Sequence, residues 1–104
     1  RKIIDMGLPI ALASDYNPGS SPSGNMNFVS SLGSIKLKMT IEEVINATTK
    51  NTAYAMGLEN ELGSIAKGKK ANLFITKAIP TYAFLQYNFG QNVINKVILN
   101  GILQ

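Results

Sequence analysis

One short apolar segment, LPIALAS at residues 8–14, restricts most strongly what this chain can fold into. An apolar run of this length that ends at a polar cluster is typical of a buried strand. Large and small side chains alternate along it, which predicts a barrel strand with one face under helices and the other turned inwards. The large residues are Leu8, Ile10 and Leu12, and the small face carries Ala11, Ala13 and then Asp15. A lone strand between helices cannot form a parallel sheet, so we expect the chain to be a fragment of a larger α/β protein.

The segments on either side of this predicted strand have distinct patterns. The pattern of residues 1–6 predicts the end of a helix, with Gly7 as the glycine that terminates it. Residues 15–27, DYNPGSSPSGNMN, predict a long loop in which Pro18 and Gly19 occupy the central positions of a type II turn. Proteins of the α/β class commonly place their functional sites in loops that directly follow a buried strand.

Two helical stretches follow the loop. Residues 28–37 predict a helix that is interrupted near Gly33. The next helix begins at a capping box formed by Thr40 and Glu43 and ends at Gly57.

The remainder of the chain follows a β pattern. Residues 63–76 predict a strand, a Lys-Gly turn and a second strand, and residues 93–101 predict another strand. The loop between them is rich in aromatic residues, of which Tyr82, Tyr87 and Phe89 are expected to pack the small sheet against a barrel.

The chain has no cysteine and no histidine, which excludes the common catalytic constellations from it. No disulfide, thiolate nucleophile, Ser–His triad or HExxH zinc site can form within these 104 residues alone. Charged residues make up 15% of the chain, against roughly 25% in ordinary soluble domains, which favours a surface that faces other protein. Because the chain also starts at Arg1 and not at methionine, we expect it to be incomplete.

The net charge is +4, and positive charge is concentrated locally at Lys67, Lys69 and Lys70. No aromatic residues are interleaved with these lysines, so we expect a solvated turn and no nucleic-acid partner. No apolar run reaches the roughly 18 residues of a membrane-spanning helix, so we expect no membrane contact. Together with the lack of cysteine, this favours a cytoplasmic location.

Asp15 lies where the predicted strand meets the loop, and two interpretations of it are open. A carboxylate at the C-terminal end of a barrel strand can bind a metal ion or move a proton. It can equally accept hydrogen bonds from the following loop in an Asx-type turn. The N–H groups of Gly19, Ser20 and Ser21 are expected to converge, and they would then hold a carboxylate or phosphate, or simply form a turn.

Four segments resemble a known family. Residues 11–21, ALASDYNPGSS, resemble the last barrel strand and loop of the imidazolonepropionase family in the amidohydrolase superfamily, A-L-A-T-D-[FY]-N-P-G-[ST]. The predicted helix at 40–57 resembles the family's T-x-E-E-x-x-x-x-x-T-x-x-x-A-x-x-x-G pattern. Residues 63–75, GSIAKGKKANLFI, resemble the superfamily's G-S-[IL]-x-x-G-K-x-A-D-L, and residues 87–101, YNFGQNVINKVILNG, resemble the family's F-G-x-N ending.

The loop and the F-G-x-N ending are specific to the family, whereas the helix and the lysine-containing segment are common to many amidohydrolases. Ser14 replaces the usual Thr, and Asn72 replaces the usual Asp of the sheet domain. Neither departure changes a residue of the loop itself.

The resemblance implies a metal-dependent hydrolase of histidine degradation. Asp15 is then the Asp of the last barrel strand that ligates a Zn or Fe ion, with histidine ligands from earlier strands upstream of this chain. It also takes a proton from the attacking water and passes it to the leaving ring nitrogen of 4-imidazolone-5-propanoate, which yields N-formimidoyl-L-glutamate. Asn17, Gly19 and Ser20 are implied to bind the propionate or formimidoyl end of this substrate.

The resemblance also implies the fold, which is an α/β fragment (α+β as an isolated chain). Residues 1–62 form the end of a TIM-type (β/α)8 barrel, with its last strand at 8–14, the site loop at 15–27 and helices to about residue 57. Residues 63–104 form part of a small composite β-sandwich domain. The implied partners are the rest of its own barrel and further copies in a homo-oligomer. Alone, the chain is expected to hold no metal tightly and to be inactive, because a lone carboxylate is too few ligands.

Two alternatives stay open from the sequence. The chain can belong to another cyclic-amide amidohydrolase or to a deaminase. It can also be a non-catalytic module derived from such an enzyme, which the lack of histidine allows.

Overall fold

Helices occupy the first half of the chain and strands its last third in the computed structural model, which describes residues 1–89 and 91–104. Gly90, part of the F-G-x-N motif, lies outside the described residues. The elements are α1 (Lys2–Asp5), α2 (Met26–Ile35), α3 (Ile41–Thr48), α4 (Lys50–Ala55), β1 (Leu73–Thr76), α5 (Phe84–Tyr87), β2 (Ile94–Leu99) and β3 (Ile102–Leu103).

Helix α2 differs from its prediction because it runs through Gly33 without interruption. A Cβ atom built at Gly33 would lie 3.0 Å from Cγ2 of Val44 and 3.1 Å from Cδ1 of Leu12. Glycine therefore permits a close approach at this position and does not end the helix. The predicted helix at the start of the chain is confirmed, since Gly7 follows α1 with a φ of 77°.

The long helix predicted after Thr40 is divided into α3 and α4. Its capping box is confirmed, because the Thr40 side chain accepts from the Glu43 N–H at 3.3 Å and Glu43 accepts from the Thr40 N–H at 2.7 Å. The division falls at Thr49, with φ −126° and ψ −82°. The Thr49 hydroxyl donates to the Ile45 carbonyl at 2.6 Å, a back-bond that commonly bends helices. Gly57 follows α4 with a φ of 70°, as predicted.

The strand predicted at 8–14 is not formed as a hydrogen-bonded strand within the described chain. The segment has no regular secondary structure there, because a strand needs a hydrogen-bonded neighbour and no segment among residues 1–89 and 91–104 pairs with it. The helices hold it instead. The bonds are Leu12 N–H to Ala47 O (3.0 Å), Asn51 Nδ2 to Ile10 O (2.8 Å) and Thr52 Oγ1 to Leu12 O (3.3 Å).

The alternation predicted for this segment is nevertheless present. Ile10 and Leu12 pack against the buried residues of the core, whereas Ala11, Ala13 and Asp15 are exposed. The buried residues of this core are Met39, Val44 and Ala47. Leu8 departs from the pattern, because its side chain is 53% exposed.

The strands form one antiparallel sheet in the order β1-β2-β3. Leu73 pairs with Ile98, and the β2–β3 hairpin turns at Asn100 and Gly101, which both have positive φ. The prediction of a strand before the Lys-Gly turn is wrong, because the described residues 63–72 contain no strand. The turn itself is present at Gly68, which has a φ of 91°.

The aromatic loop contains the short helix α5, which docks onto α2 through Gln86. The Ser31 hydroxyl donates to the Gln86 carbonyl at 2.7 Å, and the Ser34 hydroxyl donates to Oε1 of Gln86 at 2.5 Å. Phe89 lies beside Phe28 of α2, with ring centroids 5.4 Å apart. The segment that connects β1 to β2 is therefore attached to the helical part of the molecule.

Arg1 and Glu43 form a two-bonded ion pair that ties the start of the chain to α3. Nη1 and Nη2 of Arg1 lie 2.7 Å and 2.9 Å from the two carboxylate oxygens of Glu43. The hydrogen bonds from Arg1, followed by that from the Thr40 N–H, lower the pKa of Glu43 to about 2.

We expect the Glu43→Gln substitution to lower the thermal midpoint at pH 7 and to have little effect near pH 2. Because the pKa of Glu43 is lower in the folded chain than its ordinary value of 4.5, its contribution is complete above that pH and is lost as the pH falls towards about 2. Thermal melts of both proteins across this range measure the difference. Glu61→Gln, which removes a surface ion pair with Lys70, is the control and should shift the midpoint little at pH 7. A Glu43→Gln deficit of equal size at pH 7 and pH 2 would contradict the prediction.

Candidate functional site

Asp15 lies at the exposed end of the small face of segment 8–14, and its backbone is in the left-handed region with a φ of 50°. This conformation costs an L-residue roughly 1–2 kcal/mol, although Asp tolerates it better than most residues. Such strain persists where the surrounding structure holds it, and it is concentrated at functional sites. Lys38 and Asn100 have the same conformation, so the φ of Asp15 is compatible with a functional role but does not assign one.

The Asp15 carboxylate has no hydrogen-bond or ion-pair partner among residues 1–89 and 91–104. The structure does not use it as the acceptor of an Asx-type turn, which was one of the two interpretations of this residue. An unpaired, exposed carboxylate is free to bind a cation or to exchange a proton with water.

Asn17 forms the Asx-type turn in place of Asp15. Its Oδ1 atom accepts from the N–H groups of Gly19 at 2.9 Å and Ser20 at 2.8 Å, while its Nδ2 atom donates to the Asp15 carbonyl at 2.7 Å. The type II turn predicted at Pro18 and Gly19 is wrong, because Gly19 does not have the positive φ that such a turn requires.

This turn changes the role expected for the N–H groups of the loop. The N–H groups of Gly19 and Ser20 point at Asn17, so in this conformation they are already paired and do not form an open anion site. The Ser20 hydroxyl is exposed and lies 3.2 Å from Nδ2 of Asn17. The structure thus brings Asn17, Gly19 and Ser20 together in one turn beside Asp15.

Sequence reasoning missed the residues that hold this loop in place. The Ser21 hydroxyl donates to the Ser14 carbonyl at 2.7 Å, and the Ser21 carbonyl accepts from the Asn17 N–H at 2.9 Å. Asn51 and Thr52 bind carbonyls of segment 8–14 from α4. The available sequence signal was the adjacent polar pair Asn51 and Thr52, because polar side chains on a helix beside an apolar segment can bond to its backbone.

As for a metal, Asp15 can supply one oxygen ligand. Among the described residues, no three His, Cys, Asp or Glu side chains are grouped closely enough to hold an ion. Tight transition-metal sites use three or four protein ligands. The unpaired carboxylate therefore fits a metal site only as one ligand of a set that other chain segments complete.

Two of the three clustered lysines, Lys69 and Lys70, make polar contacts within the protein. Nζ of Lys69 donates to the carbonyls of Glu59 at 2.5 Å and Leu62 at 3.1 Å. Lys70 forms an ion pair with Glu61. These contacts make the turn part of the connection between α4 and β1. In the described part of the chain, no helix is both long and apolar enough to cross a membrane.

Comparison with known proteins gives one consistent family. The Amidohydrolase family matches residues 1–103. Proteins called imidazolonepropionase from Christiangramia forsetii and Flavobacterium johnsoniae are 62% and 60% identical over 99% and 97% of this chain. The imidazolonepropionase of Bacillus velezensis is 44% identical over 97% of it. The chain spans about a quarter of the length of these curated relatives, 25%, 25% and 24% respectively.

A solved structure has the same fold over this length. An amidohydrolase from Thermotoga maritima superposes on 98% of the chain with a TM-score of 0.75, and the match covers 24% of that protein. At 24% sequence identity, this likeness is evidence for the fold alone.

We expect Asp15→Gly to be at least as stable as the wild-type chain and Asp15→Ala to be less stable by about 1 kcal/mol, because only glycine adopts a positive φ without steric cost. Urea unfolding followed by circular dichroism measures both changes in the free energy of unfolding. Both variants lack the carboxylate, so a difference between their free energies of unfolding reports on the backbone conformation alone. An alanine variant as stable as the glycine variant would contradict a strained Asp15.

Proposed function

Because the chain belongs to the amidohydrolase family, we propose that it is the C-terminal part of a metal-dependent hydrolase that opens the ring of 4-imidazolone-5-propanoate. The relatives called imidazolonepropionase support this substrate. The chain covers only part of their length, so the activity is proposed for the longer protein that contains it. The 104 residues alone are expected to be inactive, since they offer too few metal ligands.

The observation that carries the proposal is the carboxylate of Asp15, which lies at the end of the small face of segment 8–14 and has no partner among the described residues. A Zn or Fe ion, when bound, would act as a Lewis acid and lower the pKa of water to about 7. Asp15 is one of its ligands in this proposal, with the remaining ligands outside this chain. The position of Asp15 after a helix-covered segment agrees with catalytic residues at the ends of barrel strands.

Asp15 also moves the proton of the reaction. As the water oxygen bonds to the ring carbonyl carbon, the carboxylate accepts a proton from the water. The bond between that carbon and the ring nitrogen then breaks, and Asp15 returns the proton to the nitrogen. The net change is the addition of one water molecule, and the product is N-formimidoyl-L-glutamate.

Asn17, Gly19 and Ser20 border the propionate or formimidoyl end of the substrate in this proposal. Asn17 shapes the turn through its three contacts with Asp15, Gly19 and Ser20. A Cβ atom built at Gly19 would lie 3.3 Å from Oδ1 of Asn17, so glycine allows the Asn17 side chain to approach closely, and Ser20 offers an exposed hydroxyl. A substrate that used the Gly19 or Ser20 N–H groups would share them with Asn17.

The larger architecture belongs to the same proposal. Residues 1–62 complete a TIM-type barrel and residues 63–104 contribute to a small β-sandwich. Segment 8–14 supports this proposal, because its large residues Ile10 and Leu12 pack against the helical core while Ala11 and Ala13 are exposed. We also propose a homo-oligomer in the cytoplasm, a reducing compartment that suits a chain without cysteine.

In the full-length protein, we expect Asp15→Asn to reduce kcat by at least about 10²–10⁴-fold, the usual contribution of general acid–base catalysis. Asparagine is nearly isosteric, but it lacks the negative charge and cannot accept the proton of water. Steady-state hydrolysis of 4-imidazolone-5-propanoate measures the loss, with circular dichroism to establish that the variant is folded.

Asp5→Asn is the matched control, because it makes the same chemical change in α1, where Asp5 pairs with Arg1. It should retain wild-type kcat. Substitutions of Asn17 or Ser20 should raise KM more than they lower kcat, since these residues are proposed to hold substrate. A folded Asp15→Asn enzyme with near-normal kcat would overturn the proposed role.

A further inference from the structure

We propose that Ser21 is a positioning residue that holds Asp15 in its left-handed conformation, an inference that rests on the proposed function. Ser21 lies six residues beyond Asp15, on the far side of the Asn17 turn. Its hydroxyl donates to the Ser14 carbonyl. It acts through the backbone next to Asp15.

Two side chains bind the two carbonyls that flank the Cα atom of Asp15. The Ser21 hydroxyl donates to the Ser14 carbonyl at 2.7 Å, and Nδ2 of Asn17 donates to the Asp15 carbonyl at 2.7 Å. The first carbonyl belongs to the peptide unit before Asp15, and the second belongs to the unit after it. Because peptide units are planar, fixing both carbonyls fixes φ and ψ of the residue between them.

Ser21 is itself held at its hydroxyl and at its carbonyl. Its carbonyl accepts from the Asn17 N–H at 2.9 Å, so Ser21 and Asn17 close the loop on each other. On the entering side, the Leu12 N–H donates to the Ala47 carbonyl at 3.0 Å, which anchors segment 8–14 to α3. The peptide unit before Asp15 is thus held between the helices and the loop.

The direction of the Asp15 side chain depends on this arrangement. Within the described part of the chain, its carboxylate has no hydrogen bond of its own, and the backbone conformation sets the direction of its Cα–Cβ bond. If the Ser14 carbonyl is released, Asp15 can relax towards negative φ, and its Cβ atom then turns away. A misplacement of 1 Å can reduce catalysis by about 10²-fold.

The test compares Ser21→Ala with Ser30→Ala in the full-length protein. The Ser30 hydroxyl donates to the Met26 carbonyl at 2.8 Å and is likewise part-buried, but it lies in α2 away from Asp15. We expect Ser21→Ala to lower kcat by about 10- to 100-fold. Its KM should stay within about twofold of wild type, because substrate contacts remain. Ser30→Ala should retain both constants.

A second pair of variants separates the hydroxyl from the shape of the side chain. Ser21→Thr keeps the donor and Ser21→Val replaces it with a methyl group of similar size. Thr should retain most of kcat, whereas Val should behave like Ala. If Thr and Val are equally active, Ser21 does not act through its hydrogen bond.

A readout independent of activity is amide hydrogen exchange in the metal-free protein. The peptide spanning residues 13–22 should exchange faster in Ser21→Ala and Ser21→Val than in wild type, and Ser30→Ala should not change it. If wild-type protein fails to hydrolyse 4-imidazolone-5-propanoate, the proposed function is wrong, and the exchange result still decides whether Ser21 holds the backbone. If this peptide exchanges at the wild-type rate in both Ser21→Ala and Ser21→Val, the inference is overturned, whatever the activity of these variants.

Discussion

The close contact of α2 with α3 and with segment 8–14 is the constraint on which the rest of this structure depends. It is possible because Gly33 carries no side chain where Val44 and Leu12 approach. A larger residue would have to push one of them away, and overpacking of this kind typically costs about 1–3 kcal/mol. Through Leu12, the same contact sets the path of the chain towards Asp15. The position of the candidate site therefore depends on packing in the core.

The break between α3 and α4 gives the helices a way to hold an irregular segment. The Ala47 carbonyl lies near the end of α3, where helix carbonyls lack partners within the helix. It accepts from the Leu12 N–H at 3.0 Å and from the Thr52 hydroxyl at 2.6 Å. The Ala47 carbonyl at the end of α3 therefore gives segment 8–14 a backbone hydrogen bond of the kind that a neighbouring strand would otherwise supply.

Features set by neighbouring residues could be predicted from the sequence, whereas features set by distant partners could not. The capping box at Thr40 and the terminating glycines depend on a few adjacent residues, and they were predicted correctly. No strand forms at 8–14 because no described segment pairs with it through a backbone ladder. At the site, alternation predicted that Asp15 follows the small face. Its positive φ could not be predicted even though Asn17 and Ser21 are near in sequence, because several hydrogen-bond patterns were open to the side chains of this polar loop.

The same division between near and distant partners explains how chemistry is distributed in the proposed enzyme. The described chain contains what is needed to orient one carboxylate: a packed core, a pinned segment and a closed loop. It leaves apolar surface uncovered, as at Ile65, whose side chain is 90% exposed, and Asp15 itself is unpaired within the described residues. A carboxylate whose backbone is held by its own chain segment can meet ligands from other segments without that backbone first being ordered by them. Such preorganisation reduces the cost of assembling a metal site, because the ordering is completed when this part of the protein folds.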